Sequence, residues 1–422
     1  MIDIKDKKEC CGCSACVQKC PKQCISLQED NEGFLYPIVD KETCIDCGLC
    51  EKVCPVLNRN EPRKPLKVYA AINKNEEIRL QSSSGGIFTL LAEKTINVGG
   101  VVFGARFDEN WEVKHDYTET IEGLAAFRGS KYVQSRIEDS FKKAESFLKE
   151  GRKVLFSGTP CQIAGLKHYL RKEYDNLLSV DVVCHGVPSP LVWRTYLDGV
   201  FQTIRTKCGT ENKLVSLSLN ELPVITSISF RDKTNGWKKY GFRIRSFASK
   251  AAENMVSESV DDVFLYETLD KNLFMQIFLK NLNLRPSCYS CPSKSGKCNS
   301  DITLADYWGV GIYHPECDDD KGTSLILVNS KDGDRLLDDL CVEKTKTSYT
   351  QGLRGNPSIE HSVEFNKYIE HFWMSFHKNG LNDIHDILSK VKPTFRTRII
   401  LKFKETIKFI LPNSIVNLIR KE

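Results

Sequence analysis

The sequence predicts a small α+β module stabilised by metal, then a larger α/β domain, then a helical C-terminal tail. Three observations predict this. One cysteine spacing is written twice within residues 10–54, apolar strand-type runs alternate with helix-type patterns over 68–330, and residues 390–422 interleave basic and apolar side chains. The chain has 422 residues, enough for two or three domains. Its formal net charge of +5 is modest for that size, and nucleic acid is not an expected partner. No apolar run approaches the ~20 residues needed to span a bilayer.

The duplicated spacing is Cys10-x2-Cys13-x2-Cys16-x3-Cys20-Pro21 and Cys44-x2-Cys47-x2-Cys50-x3-Cys54-Pro55. This is the bacterial run that binds 4Fe–4S clusters, and its fourth cysteine serves the other cluster of a two-cluster ferredoxin. Cluster one is therefore expected on Cys10, Cys13, Cys16 and Cys54, and cluster two on Cys44, Cys47, Cys50 and Cys20. A register starting from Cys11 would put Ser14 at the second ligand position, so Cys10 starts the run. Cys11 and Cys24 fall outside both runs and are expected to be small core residues. The opening Met1-Ile2-Asp3-Ile4-Lys5-Asp6 is polar, so no secretory leader is expected, and cysteine at this density in a reducing compartment favours metal over disulfides. Structural zinc uses paired C-x2-C knuckles, not an x2-x2-x3 run. Between the runs, residues 25–27 and 34–39 can pair as strands around Asp30-Asn31-Glu32-Gly33. A module this small draws much of its stability from its metal. Residues 58–67, charged and with two prolines, read as a linker.

In the middle region, residues 68–72, 101–105, 154–156, 178–183 and 325–328 are buried-strand runs, separated in several places by helical patterns at 87–96, 137–149, 163–171 and 191–201. This alternation predicts a mostly parallel sheet, with a hairpin insertion at 225–247. Ser82-Ser83-Ser84-Gly85-Gly86 stands directly before a helix. Small residues admit close backbone approach and a helix N-terminus offers free N–H groups to a phosphate, although a serine-rich N-cap has the same appearance. Gly158-Thr159-Pro160-Cys161-Gln162 follows a strand, where open α/β sheets bind ligands. Cys161 there is a cluster ligand, a cofactor contact or a small buried residue. A second strand end carries Val183-Cys184-His185-Gly186. Adjacency does not make these side chains face each other, so a Cys–His nucleophile is not expected. Cys288-x2-Cys291-x6-Cys298 adds three thiols in a turn-rich loop. Cys161 or Cys184 could complete a cluster site there, ahead of Cys317. A structural zinc knuckle is the alternative.

Several long stretches occur together in order: Ser83-Ser84-Gly85-Gly86, Arg128-Gly129-Ser130-Lys131-Tyr132-Val133-Gln134, Phe156-Ser157-Gly158-Thr159-Pro160-Cys161-Gln162, Asp181-Val182-Val183-Cys184-His185-Gly186, Cys288-Tyr289-Ser290-Cys291 and Asp301-Ile302-Thr303-Leu304-Ala305-Asp306-Tyr307-Trp308-Gly309. On these the chain resembles the coenzyme F-420 hydrogenase/dehydrogenase beta-subunit family, in the form with an N-terminal two-cluster ferredoxin, over about 10–330. The resemblance implies a flavin, usually FAD, in the α/β domain. Ser83, Ser84, Gly85, Gly86, Lys131, Thr159 and Pro160 are the cofactor residues it suggests. It also implies a third cluster on Cys288, Cys291 and Cys298 with a middle-domain cysteine, Cys161 or Cys184. The expected function is a flavo-iron–sulfur oxidoreductase that couples single electrons to hydride chemistry. Its partners would be a small-molecule redox substrate and a ferredoxin or other redox protein. Family members include deazaflavin-oxidising subunits, plant enzymes acting on chlorophyll intermediates, and bacterial proteins associated with surface-polysaccharide gene sets, so a ferredoxin-linked reductase in polysaccharide metabolism is one expectation. A non-catalytic electron-relay subunit is the alternative.

After residue 331 the resemblance fades into an expected helical region, 331–422. Residues 390–422 carry nine Lys/Arg and two Glu among Ile399, Ile400, Leu401, Phe403, Ile407, Phe409, Ile410 and Leu411. That composition suits an amphipathic helix on an anionic membrane or in a partner's groove, and equally a helix packed on its own domain. The expected location is the cytoplasm, with the tail as a peripheral membrane contact.

Overall fold

A computed structural model describes residues 1–209, 224–247, 261–340 and 342–391. The basic amphipathic segment beyond 391 lies outside the described residues. The strands are β1 (Ile25–Glu29), β2 (Leu35–Val39), β3 (Lys67–Asn73), β4 (Val101–Phe107), β5 (Val113–Thr118), β6 (Val154–Gly158), β7 (Leu177–Val182), β8 (Val224–Asp232), β9 (Gly241–Phe247), β10 (Asp261–Thr268), β11 (Ile302–Asp306), β12 (Ser324–Val328) and β13 (Val342–Lys346).

The N-terminal module is built around the β1–β2 hairpin, with Ile25 opposite Val39. Its turn is closed by Asp30, whose Oδ1 accepts from the backbone N–H groups of Glu32 (3.0 Å) and Phe34 (2.9 Å). Two one-turn helices, Ala15–Lys19 and Leu49–Lys52, start after left-handed residues, Ser14 at φ 61° and Gly48 at φ 69°. Each occupies the same place in its cysteine run, so the local duplication in sequence is a duplication in backbone shape.

The large domain carries an eight-stranded sheet in the order β13-β3-β12-β11-β7-β6-β4-β5. Only its centre is parallel: β4 with β6, β6 with β7, and β7 with β11. The flanks are antiparallel, which corrects the mostly parallel expectation. The connections explain this. Five residues join β4 to β5, too few for the crossover of a dozen or more that parallel pairing requires. β13 also extends the sheet past residue 330, into the region expected to be helical. Its sequence Val-Glu-Lys-Thr-Lys is that of a charged edge strand, which resists further pairing. The hairpin expected at 225–247 is β8–β9, and β10 extends it to a three-stranded antiparallel sheet, β10-β9-β8. Beneath it lies an aromatic core in which the rings of Trp193 and Phe274 are 5.0 Å apart and those of Phe230 and Phe242 5.3 Å apart.

Residues 58–67, expected as a linker, are strapped to the domain. Asn60 Nδ2 donates to the Lys297 carbonyl (2.8 Å), Arg63 N to Ser295 (2.9 Å) and Leu66 N to Val328 (2.7 Å).

The cysteine module docks on helix Pro160–Leu170, where a Cβ added to Gly165 would meet Cys13 Cβ at 2.8 Å and its Sγ at 3.0 Å. Gly199, in helix Pro190–Gly209, has nothing within 4 Å of the same added atom. Gly165→Val should therefore lower unfolding stability by ~1–3 kcal/mol, the usual range for overpacking. Gly199→Ala should raise it by ~0.4–1 kcal/mol through the unfolded chain's lost freedom. Urea midpoints of the two variants measure both, and equal shifts would contradict the docking contact.

Candidate redox site

Cys10, Cys13, Cys16 and Cys54, with Cys11, line one cavity of about 400 Å³. Cys20, Cys44, Cys47 and Cys50, with Cys24, line another of about 350 Å³. Each one-turn helix carries the fourth cysteine of its run away from its own cage and toward the other. The donor chemistry fits a four-thiolate cluster. Burial, with Cys10 and Cys54 close by, pushes the Cys16 thiol up to about 12, and crowded thiols of this kind are deprotonated when an iron core supplies positive charge. Among the described residues, no three His, Cys, Asp or Glu side chains close around a point that a single metal ion could occupy. The cages differ in exposure: Cys13 is buried, whereas Cys47 is exposed. Cys24 Sγ lies 3.4 Å from Cys20 Sγ.

A second gathering of thiols lies behind the first cage. Burial pushes the Cys288 thiol well up, reinforced by Cys184, Cys291 and Cys161. Burial likewise raises Cys291, with Cys161 adding to it, and raises Cys184 to about 12 despite the opposing charge of Lys294, with Cys161 and Cys291 contributing. Cys161 and Cys184 therefore both lie within electrostatic reach of Cys288 and Cys291. Sheet register accounts for the pair: Gly158 of β6 is opposite Asp181 of β7, and each cysteine follows its strand partner by three residues. The Arg285 carbonyl accepts from Cys288 N (2.9 Å), and Ser362 Oγ accepts from Cys291 N (2.9 Å).

Cys298, expected as the third ligand of this loop, is placed elsewhere. It is 1% exposed, and burial, then the Asp181 carboxylate, raises its thiol, while a hydrogen bond with Ser300 opposes the rise. Two left-handed residues, Ser295 (φ 60°) and Gly296 (φ 72°), turn the loop between Cys291 and Cys298. Cys317 is buried separately, 3.6 Å from Thr345 Oγ1. Cys11 is buried in the core as expected, and it also links the two groups: its thiol raises that of Cys161, and the Cys13 thiol raises its own.

The expected cofactor residues divide. Ser83 Oγ accepts from Ser130 N (2.6 Å), with Ser130 Oγ at 2.8 Å, which joins the Ser82–Gly86 loop to the Lys131 loop. Helix Ile87–Asn97 begins at Gly86 (φ 80°) with no side-chain cap. Ser84 and Gly85 turn inward. Ser84 Oγ donates to the Thr323 carbonyl (2.8 Å) and Gly85 N to Ser324 Oγ (3.0 Å). A Cβ at Gly85 would lie 2.4 Å from the Ala71 carbonyl, so packing requires this glycine. Lys131 Nζ donates to the carbonyls of Arg128 (3.1 Å) and Gly129 (3.3 Å), and burial lowers it to about 7. Thr159 caps helix Pro160–Leu170 through a capping box with Gln162 and lies 3.2 Å from Cys161 Sγ. It thus stands, with Pro160, by the four thiols.

Arg231 was not visible in the sequence, and it organises this junction. It pairs with Asp306 through Nη1 (2.7 Å) and Nη2 (3.1 Å), and Nη2 also donates to the Ser83 carbonyl (3.2 Å). Its guanidinium lies 3.9 Å from the Tyr240 ring centre and 5.3 Å from that of Trp308. Its Nε is buried and has no partner among the described residues. A lone arginine in an inserted sheet has no spacing or period to announce it.

Residues 9–58 match the 4Fe-4S dicluster domain family. Residues 151–211 and 225–350 match the family described as the C terminus of the coenzyme F420 hydrogenase/dehydrogenase beta subunit. The chain therefore joins a 4Fe-4S dicluster domain to a domain of the coenzyme F420 hydrogenase/dehydrogenase beta-subunit family. A solved chain of the F420-reducing NiFe hydrogenase complex from Methanosarcina barkeri, studied by xenon derivatization, is similar at 16% identity over 70% of this chain and 89% of that one, with a TM-score of 0.42. No curated protein matches the chain. The chain is an iron–sulfur electron-transfer protein with an N-terminal dicluster domain. Among the described residues, no helix is long and apolar enough to cross a membrane.

A buried network braces the Cys161 helix. His115 Nε2 lies 3.0 Å from the Ser157 carbonyl. A carbonyl only accepts, so Nε2 carries the proton and Nδ1 accepts from Ser135 Oγ (3.0 Å). Gln162 Nε2 donates to the same Ser135 Oγ (2.8 Å). Burial holds His115 down at about 4. The unfolded chain takes up this proton near pH 6.5, so stability falls as pH drops from about 6.5 to about 4, by about 3 kcal/mol in total, and levels below that. His115→Gln should remove this part of the slope. Urea midpoints across that window check it, and parallel profiles for the two proteins would refute it.

Proposed function

We propose that this chain is a flavo-iron–sulfur oxidoreductase with a third 4Fe–4S cluster on Cys161, Cys184, Cys288 and Cys291. One observation carries the reading: these four thiols gather next to Cys11, which adjoins Cys13 of the first cage. A row of cluster sites then runs from the exposed Cys47 cage, through the buried Cys13 cage, to the centre of the α/β domain. The outer cage meets a one-electron protein partner such as a ferredoxin, in the cytoplasm. The inner end serves a flavin at the junction of Ser83, Ser130, Lys131 and Arg231.

The residues at that junction fit a dinucleotide flavin. The uncapped helix at Gly86 and the Lys131 ammonium suit a diphosphate, and the unpartnered Arg231 Nε has a hydrogen bond to give. A flavin bound there exchanges electrons in pairs with an organic substrate and singly with the clusters. The chain's part is to hold and orient. Asp306 fixes the Arg231 fork, the Ser83–Ser130 contact fixes the spacing of the two loops, and the aromatic faces of Tyr240 and Trp308 keep water from the guanidinium.

Anaerobically purified protein should hold about twelve irons per chain, four for each of three clusters, and about one flavin released by acid. Cys291→Ser and Cys184→Ser should each remove about four irons while the dicluster signals persist, and Cys298→Ser should leave iron unchanged. Full iron in both of the first two variants would sink the third cluster. Intact clusters without flavin, in protein supplied with FAD, would make the chain an electron-relay subunit instead.

A further inference from the structure

Arg285 is 1% exposed, yet its described hydrogen bonds go to uncharged acceptors and to sulfur, with no carboxylate among them. Nε donates to the Cys10 carbonyl (2.7 Å), Nη1 to Gln134 Oε1 (3.0 Å) and Nη2 to the Leu35 carbonyl (2.9 Å). Nη2 also reaches Cys10 Sγ at 3.5 Å. Its Cζ stands 4.3 Å from the centre of the Tyr36 ring. Its field reaches the thiols of Cys10, Cys11 and Cys288 and, without direct contact, the half-buried Glu32 carboxylate. A guanidinium stays charged at any working pH, and a buried charge without a counter-ion is strongly disfavoured. Negative charge must therefore come from its surroundings, and the sulfur sites on either side can provide it.

A four-thiolate cluster is anionic, and reduction adds one electron to it with no bond made or broken. A buried cation beside it stabilises the reduced form most, and hydrogen bonds to the sulfurs act in the same sense. We propose that Arg285 is the internal counter-ion of the electron relay, raising the potentials of the first-cage cluster and of the four-thiol cluster relative to the solvent-facing one. For the four-thiol cluster this rests on the function proposed above; for the first cage it rests on the dicluster domain alone. Arg285 is a positioning residue in this role. It exchanges no electron itself, and it ties the cysteine module to the turn that carries Cys288.

The test is a redox titration of the complete, anaerobically purified protein, followed by electron paramagnetic resonance, for wild type, Arg285→Gln and Arg285→Lys, with iron counted in each. In Arg285→Gln at full iron, the reduced-to-oxidised ratio of the inner clusters at a fixed potential should fall about tenfold, equivalent to ~59 mV for one electron. The solvent-facing cluster should not move. Unshifted inner clusters at full iron would overturn the proposal. If the glutamine variant loses iron, Arg285→Lys decides, because it keeps the charge without the planar fork. A change below about threefold upholds the charge role and any larger fall overturns it, on the same one-electron scale. Wild-type protein with dicluster signals only would remove the four-thiol cluster from the reading, while the first-cage shift would still test Arg285.

Discussion

The contact between residues 10–14 and the α/β domain governs the rest of the molecule. It is so close that side chains are excluded on both sides. At Gly12 (φ 71°) an added Cβ would lie 2.6 Å from Gln134 Nε2 and 2.9 Å from Arg285 Nη1, and Gly165 faces Cys13 in the same way. Gln134 Nε2 donates to the Cys11 carbonyl (3.2 Å), and Gln18 Oε1 accepts from the first free N–H groups of the next helix, at Phe141 and Lys142. Cys11 and Cys13 consequently share a core with Phe156, Ile163 and Leu166. The small module has few apolar residues of its own, so its fold leans on metal and on this docking. Moving it by a few ångströms would separate the first cage from Cys161, and the proposed single-electron transfer between the two modules would depend on that proximity.

The α/β domain contributes strand ends. β6 and β7 are parallel neighbours, so their C-terminal ends emerge side by side, the position where open sheets of this class place functional groups. Cys161 and Cys184 leave from matched positions there. Lys294 supports this corner from behind, its Nζ donating to the Cys184 carbonyl (2.5 Å) and to the Ser358 carbonyl (2.7 Å). The inserted sheet adds Arg231 and Lys233 to the opposite side, where Lys233 Nζ donates to the Arg79, Ser84 and Lys321 carbonyls at 2.7–2.9 Å. Burial and the neighbouring Arg231 lower that lysine to about 7. At the junction Lys131 and Lys233 are thus held on backbone carbonyls and Arg231 on Asp306, with its Nε left over.

Legibility in the sequence followed the range of the forces involved. The dicluster cages were readable because eight of the ten cysteines in residues 10–54 fall in one repeated spacing that encodes a local geometry. β3, β4, β6, β7 and β12 were readable because burial on both faces writes a continuous apolar run, and β12 is buried at every position. β5 and β13 were not, since Val-Lys-His-Asp-Tyr-Thr and Val-Glu-Lys-Thr-Lys are edge sequences whose pairing is decided by the sheet they join. Cys288-x2-Cys291 signalled a thiol site, but extending the pattern to Cys298 ignored the left-handed Ser295 and Gly296 between. The choice between Cys161 and Cys184 was open in sequence because strand register, which brings both, is a tertiary fact. Arg231, Arg285 and Cys11 act singly, through burial and neighbours from distant segments, and no period or spacing marks them.

The depth of the inner sites creates an electrostatic problem that the same structure addresses. Moving an anionic cluster from solvent to the interior weakens the stabilisation of its more negative, reduced form. A row of clusters passing from exposed Cys47 to buried Cys288 would, by burial alone, grow harder to reduce inward, and electrons would stay at the surface. In the proposed relay, buried positive charge would offset that gradient. Arg285 lies between the first cage and the four thiols, and Lys294 opposes the raised thiols of Cys184 and Cys291. Both are held by backbone carbonyls, with Gln134 Oε1 and Cys10 Sγ added for Arg285, so their charge is not spent on a carboxylate partner. The surface pairs differ. Lys143 with Asp139 and Arg335 with Asp332 are exposed ion pairs of the kind worth little energy. In the proposed relay the cations that matter for electron energy are those in direct contact with neutral acceptors and sulfur, with no carboxylate bound to them.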